Sequence, residues 1–136
     1  MEGENVRYET RLTLANVDNA RRAAAELVRL SPDVVVATGT LNVEALQSAS
    51  RALPIVFVGM TDPVGAGLVQ TLARPGGSTT GFASLEYGLS IKWLELLKEI
   101  APSVTRVGVL RQQGNPTGIG MWAAMRENLP CRRYAQ

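Results

Sequence analysis

Between Asp33 and Met60 the chain reads DVVVATGTLNVEALQSASRALPIVFVGM, and this order constrains the fold more than any other stretch. An apolar, β-branched run (Asp33–Thr40) leads into a segment of helical period (Leu41–Leu53). A second apolar run (Pro54–Met60) follows. Continuous apolar runs suit strands buried on both faces, whereas half-solvated strands alternate. Two such strands joined through a helix pair in parallel, because a parallel pair needs a long crossover that a hairpin turn cannot supply.

The rest of the chain extends this pattern. Asn5–Thr10 (NVRYET) alternates and reads as a strand near a sheet edge. Asp18–Leu30 places Ala20, Ala23, Ala24, Leu27 and Val28 on one helical face, with Asp18 or Asn19 as cap and Pro32 as stop. Asn42 is the expected cap of the helix over Leu41–Leu53. A short helix is expected over Gly67–Leu72 and a short strand over Thr79–Ser84. Leu89–Pro102 is the clearest helix: Trp93, Leu96, Leu97 and Ile100 recur at helical spacing, Ser90 can cap it and Pro102 closes it. Val104–Arg111 reads as a further strand, and IGMWAAMREN begins a last helix. The expected fold is therefore an open, doubly wound parallel α/β sheet with flanking helices.

Composition removes several function classes. The chain of 136 residues is long enough for one ordinary core, and 46% apolar residues make it globular. A net charge of +2 with dispersed Lys and Arg offers no groove for a phosphate backbone, so no nucleic-acid partner is expected. The absence of His removes the commonest general base and metal ligand. No metal site or cofactor is expected. The single Cys131 permits no internal disulfide. No stretch approaches the roughly 18 apolar residues of a membrane span, so no membrane insertion is expected, and the polar start MEGENVRYET lacks the apolar core of a signal peptide.

In open α/β sheets, ligands bind beyond the carboxyl ends of the strands. Two loops leave such ends with suitable residues: Ala37–Thr40 (ATGT) and Val58–Pro63 (VGMTDP). Thr38, Thr40 and Thr61 offer hydroxyls, Gly39 and Gly59 allow close backbone approach, and Asp62 can accept from an ammonium or a hydroxyl. The same residues have purely structural uses: Thr38 and Thr40 as helix caps, and Asp62 as the cap of the turn that starts at Pro63. Tyr87, just before the strong helix, is a candidate cleft residue, whereas Trp93 and Trp122 read as core or lobe-contact residues.

The glycine-rich stretch after the second strand does not read as a phosphate cradle. Gly65-Ala66-Gly67-Leu68-Val69-Gln70 lacks the third glycine of the dinucleotide fingerprint, and Pro63 separates it from the strand. No GxxxxGK[ST] and no Gly-x-Ser-x-Gly occurs. Asp62 and Glu86 could reach one cleft, but nothing pairs them, and no catalytic residue is assigned.

Several segments together carry a resemblance: PDVVVATGT, LPIVFVGMTDPVGAGLVQTLARPGGSTTGF, EYGLSIKWLELLKEIAPSVTRVGVLR and NPTGIG. From about Glu2 to Ala124 the chain resembles the ABC transporter substrate-binding protein family, formerly a family of unknown function, some of whose members bind aromatic amino acids. The resemblance implies a periplasmic-binding-protein type I fold, in which two α/β lobes close on a small ligand. It implies a periplasmic receptor that delivers solute to a membrane permease, and no enzymatic activity. By position it places first-lobe ligand contacts in Thr38–Thr40 and Gly59–Asp62, with Ser84–Tyr87 near the first crossing between lobes.

On this basis residues 1–84 are expected to form the first lobe without its initial strand and helix. Residues 85–128 would form the crossover helix and the start of the second lobe, and 129–136 an irregular tail. The chain is expected to be a fragment, truncated at both ends, that binds weakly and carries no export signal of its own. Two other readings stay open at this point. One is an effector-sensing domain of a transcription regulator, and the other is a small α/β enzyme using Asp62 and Glu86.

Overall fold

The computed structural model describes residues 6–112 and 114–128. Its elements in chain order are α1 (Val17–Arg29), β1 (Val35–Thr38), α2 (Thr40–Ala49), β2 (Ile55–Thr61), β3 (Thr79–Leu85), α3 (Leu89–Ile100) and α4 (Pro116–Asn128). The three strands form a parallel sheet in the order β1-β2-β3. Val35 lies beside Ile55, and Ile55 beside Thr79. The parallel strand-helix-strand unit expected between Asp33 and Met60 is present.

The core follows from strand alternation. Val35 and Ala37 of β1, and Ile55 and Phe57 of β2, point to one face of the sheet and are buried. There they meet Val43 and Leu46 of α2 and, further out, Ala20 and Ala24 of α1. Small Ala side chains on α1 let that helix lie close against α2. Ile55 and Phe57 are almost fully buried, and each such side chain stabilises the fold by roughly 1.5–3 kcal/mol. β3 is held close to β2 at Gly81, where a Cβ would collide with the Phe57 backbone. The opposite face of the sheet carries Val36, Val58 and Phe82, all exposed.

Two expected strands are missing for a common reason. Val6 makes only an isolated bridge and Arg7–Thr10 are irregular, while Asn5 lies outside the described residues. Val104–Arg111 is irregular too, with Val107, Val109 and Leu110 exposed. Both segments have strand composition, but a strand exists only where another strand accepts its hydrogen bonds. No described strand does so here. The short helix expected over Gly67–Leu72 is a series of turns, closed by Ala66 N–H to Asp62 O (2.9 Å), Leu68 N–H to Pro63 O (3.0 Å) and Gln70 N–H to Pro75 O (2.8 Å).

The helix caps also differ. Asn16, rather than Asp18 or Asn19, caps α1 by accepting from Asn19 N–H. Gly39 and Gly88 occupy the N-cap positions of α2 and α3, and neither helix has a side-chain cap bond. Ser90 instead turns inward: its hydroxyl lies 2.6 Å from Tyr87 O and 3.2 Å from Met121 O, linking α3 to α4. Trp93, Leu96 and Ile100 on the apolar stripe of α3 are exposed. Cys131 and the tail lie outside the described residues.

Candidate functional site

At the carboxyl end of β1 the backbone turns into α2 through Gly39, whose φ of 75° is readily adopted only by glycine. This turn forms one wall of a cavity of about 600 Å3. Thr38, Gly39, Thr40, Leu41 and Asn42 line that wall. The loop entering α1, from Arg11 to Asp18, forms a second, and Gly114–Thr117 at the start of α4 form a third.

Hydrogen bonds fix the walls to one another. Asn42 Nδ2 donates to Thr38 O at 2.9 Å, and the Thr13 hydroxyl donates to Asn42 Oδ1 at 3.0 Å. Asn42 therefore joins the α1 loop to the end of β1, a role that its reading as a cap missed. Arg11 is held on the rim by Glu26 at 2.9 Å and by Glu9 at 3.6 Å. The α4 wall is ordered by Asn115, whose Oδ1 accepts from Thr117 N–H at 3.0 Å. The segment QQGNPTG, between Val104–Arg111 and the last helical segment, holds none of the candidate residues named from the sequence. The signal available there was Asn-Pro at the start of a helical segment, the pattern of a cap followed by N1 proline.

Thr38 is exposed in this cavity, and Thr40 is buried at 4% exposure with its Oγ1 unpartnered among the described residues. Neither threonine hydroxyl caps α2.

The second group of candidates lies elsewhere. Gly59, Thr61, Asp62 and Tyr87 do not line this cavity. Gly59 has φ 67° at a break in the β2–β3 register, between Val58 and Met60. Thr61 is buried beside Leu85. Asp62 uses both carboxylate oxygens on backbone donors: Oδ1 accepts from Gly65 N–H at 2.7 Å and Oδ2 from Tyr87 N–H at 3.2 Å. Its own N–H donates to Leu85 O at 2.7 Å. The turn-capping use of Asp62 is thus seen directly.

Tyr87 is half-buried against α4, where a Cβ on Gly120 would overlap its ring. Burial pushes the Tyr87 phenol above its ordinary range, and the nearby carboxylates of Asp62 and Glu44 add to the shift. Burial likewise raises Glu44. Glu86 is exposed and takes part in no hydrogen bond through its side chain among the described residues. A second hollow, of about 660 Å3, is bordered by Gln47, Arg51, Gly77 and Thr79. It lies at the amino ends of the strands, away from both candidate loops.

Among the described residues, no group of three or more Cys, Asp or Glu side chains is placed to hold a metal ion. No described helix is long and apolar enough to cross a membrane.

Comparison with known proteins gives a consistent picture. The sequence profile described as ABC transporter substrate binding protein matches residues 1–124. A tyrosine-binding protein of Clostridioides difficile is 32% identical over 110 residues, which cover 80% of this chain and 31% of that protein. A conserved domain protein from Vibrio cholerae superposes with a TM-score of 0.82 at 35% identity, covering 93% of this chain and 42% of its own. The ABC domain from Streptococcus pneumoniae, solved in complex with L-Trp, superposes with a TM-score of 0.68 at 28% identity, over 82% of this chain and 39% of its own. The chain thus spans less than half the length of each.

Proposed function

The chain belongs to the ABC transporter substrate binding protein family, and on that premise we propose that it takes part in amino-acid uptake by binding an amino acid at the carboxyl end of its parallel sheet. The observation that carries this reading is the cavity of about 600 Å3 bordered by Thr38, Gly39 and Thr40. Its size is that of small-molecule sites, and its place follows the rule that open α/β sheets bind ligands beyond the carboxyl ends of their strands. The relatives that bind tyrosine and L-Trp support an aromatic amino acid as the ligand.

In this reading residues 1–84 belong to one lobe, and 85–128 form the crossover helix and the beginning of another. Ligand bridges the two lobes and favours their closed arrangement. The closed receptor docks on a membrane permease outside the cytoplasm. The family is one of solute-binding proteins, which sets aside the enzymatic reading of Asp62 and Glu86. Asp62, moreover, is occupied by two backbone N–H groups.

The test is isothermal titration of the chain with L-tyrosine, L-tryptophan and a set of non-aromatic amino acids. Saturable binding, weaker than micromolar and selective for the aromatic pair, is expected. Equal or absent response across the whole set would overturn the reading.

A further inference from the structure

Among the described residues β1 pairs with β2 alone, so its other edge carries a row of unpaired backbone groups. The ladder shows which groups these are. Val35 N–H donates to Pro54 O at 2.9 Å, so Val35 and Ala37 face β2. The N–H and C=O groups of Val34 and Val36 therefore point outwards. Thr38 O, on the same edge, already accepts from Asn42 Nδ2 at 2.9 Å, which closes the free stretch at its carboxyl end. Natural sheets blunt such edges with charge, proline or a bulge. β1 (VVAT) has none of these, and Val34 and Val36 are exposed.

The same chain holds a strand-like segment without a sheet. Thr105–Leu110 (TRVGVL) is exposed throughout, and none of its backbone groups has a hydrogen-bond partner among the described residues. Its two valines and its threonine favour extended backbone, and it has one charge and no proline. That charge has a counterpart. Asp33 immediately precedes β1, and both Asp33 and Arg106 are exposed. Neither takes part in an ion pair or a side-chain hydrogen bond among the described residues. An open edge beside an acid and an unpaired segment beside a base are thus carried by one chain.

We propose that Thr105–Leu110 of a second copy adds to the free edge of β1 as a further parallel strand, each copy giving one strand and receiving one. One register meets every requirement. With Arg106 opposite Asp33, Val107 and Val109 fall beside Val34 and Val36 on the apolar face away from α1 and α2, and Leu110 falls beside Ala37 on the covered face. The strand runs parallel, as all three strands of the sheet do. Val34 and Val36 N–H donate to Arg106 and Gly108 O, and Gly108 and Leu110 N–H donate to Val34 and Val36 O. A slip of one residue turns both valines to the wrong face and separates the charges. Since edge and strand belong to the same chain, a two-fold exchange fills both edges and closes as a dimer.

The experiment is sedimentation velocity of the full chain over rising concentration. It compares the unchanged protein, Gly108→Pro, Asp33→Arg, Arg106→Asp, and an equimolar mixture of the last two, with circular dichroism confirming that each variant is folded. The unchanged chain should dimerise. G108P removes a ladder donor from an exposed, irregular segment and should dimerise at least about tenfold more weakly. D33R and R106D each set like charges against one another at both edges, and each should dimerise about tenfold more weakly. Their mixture should regain the dimer, because the D33R edge then receives the R106D strand, and the other edge keeps its native pair. A monomer at all concentrations leaves the segment with its own chain and would overturn the exchange. A dimer indifferent to G108P, or to D33R and R106D, forms through another surface and would overturn it as well. A mixture as weak as its two components would also overturn it, since the charges then do not meet between copies.

Discussion

The carboxylate of Asp62 holds the backbone N–H of Tyr87 at 3.2 Å, and so ties the end of β2 to the chain leaving β3. Its other oxygen closes the turn onto Gly65 N–H at 2.7 Å. Replacement by Ala frees both N–H groups, and the expected loss is about 1–3 kcal/mol. Replacement by Asn should cost less, because one oxygen remains to accept and Asn tolerates the left-handed φ of 43° found here. Urea unfolding of D62A and D62N against the unchanged chain measures both. Equal stability of all three would show that neither bond contributes.

Gly120 and Tyr87 make a sharper case, because two effects of opposite sign compete. Gly→Ala inside a helix ordinarily stabilises by about 1 kcal/mol. At Gly120 the added methyl overlaps the Tyr87 ring, and forced overpacking costs about 1–3 kcal/mol. G120A alone should therefore be destabilising or neutral. In a Tyr87→Ala background the ring is gone, and G120A should become stabilising. A double-mutant cycle in thermal unfolding reads this reversal of sign.

Glu44 gives a pH dependence of known sign. Burial raises its folded-state pKa above the ordinary carboxylate value. A raised pKa means that the neutral form is favoured in the fold. Its contribution is fully present below the unfolded value of about 4.3 and is lost as pH rises through the folded value. Relative to Glu44→Gln, the unchanged chain should lose stability as pH rises from about 4 towards neutrality. The two should converge at lower pH. Parallel pH-stability curves would contradict the assignment.

The face of the sheet away from α1 and α2 carries Phe82 at 73% exposure and Val36 at 65%. The strand register places Val58 beside Phe82 and Val56 beside Val36. An apolar face of this kind promotes association. Sedimentation velocity should show association rising with concentration, and Val36→Thr with Phe82→Lys should reduce it. A monomer at all concentrations for the unchanged chain would contradict this.

What was legible in the sequence were the elements whose partners are also in the chain. β1 and β2 are strands because each finds the other across a 10-residue helix, and their β-branched runs showed it. Val104–Arg111 has the same composition but no strand beside it among the described residues, and pairing is not a property of one segment. The ATGT loop was legible as a candidate for its residue types and its position after a strand. The burial of the Thr40 hydroxyl was not, since a hydroxyl beside a helix start suggests a cap, and only the fold shows that it does not cap α2. Asp62 was legible both as a ligand acceptor and as a turn cap. The bonds from the N–H groups of Gly65 and Tyr87 show the turn use. The α4 wall was missed because Asn115–Thr117 are about 75 residues from Thr40 in sequence, and only the packing of α4 brings them to the same cavity.

The most direct test of the account is to map where an amino acid binds, by following backbone amide resonances during titration with L-tyrosine. Progressive, saturable shifts confined to Thr38–Asn42, the Arg11–Asp18 loop and Gly114–Thr117 are expected. Shifts centred instead on the hollow around Gln47, Arg51 and Thr79, or no shifts at saturating L-tyrosine, would contradict it.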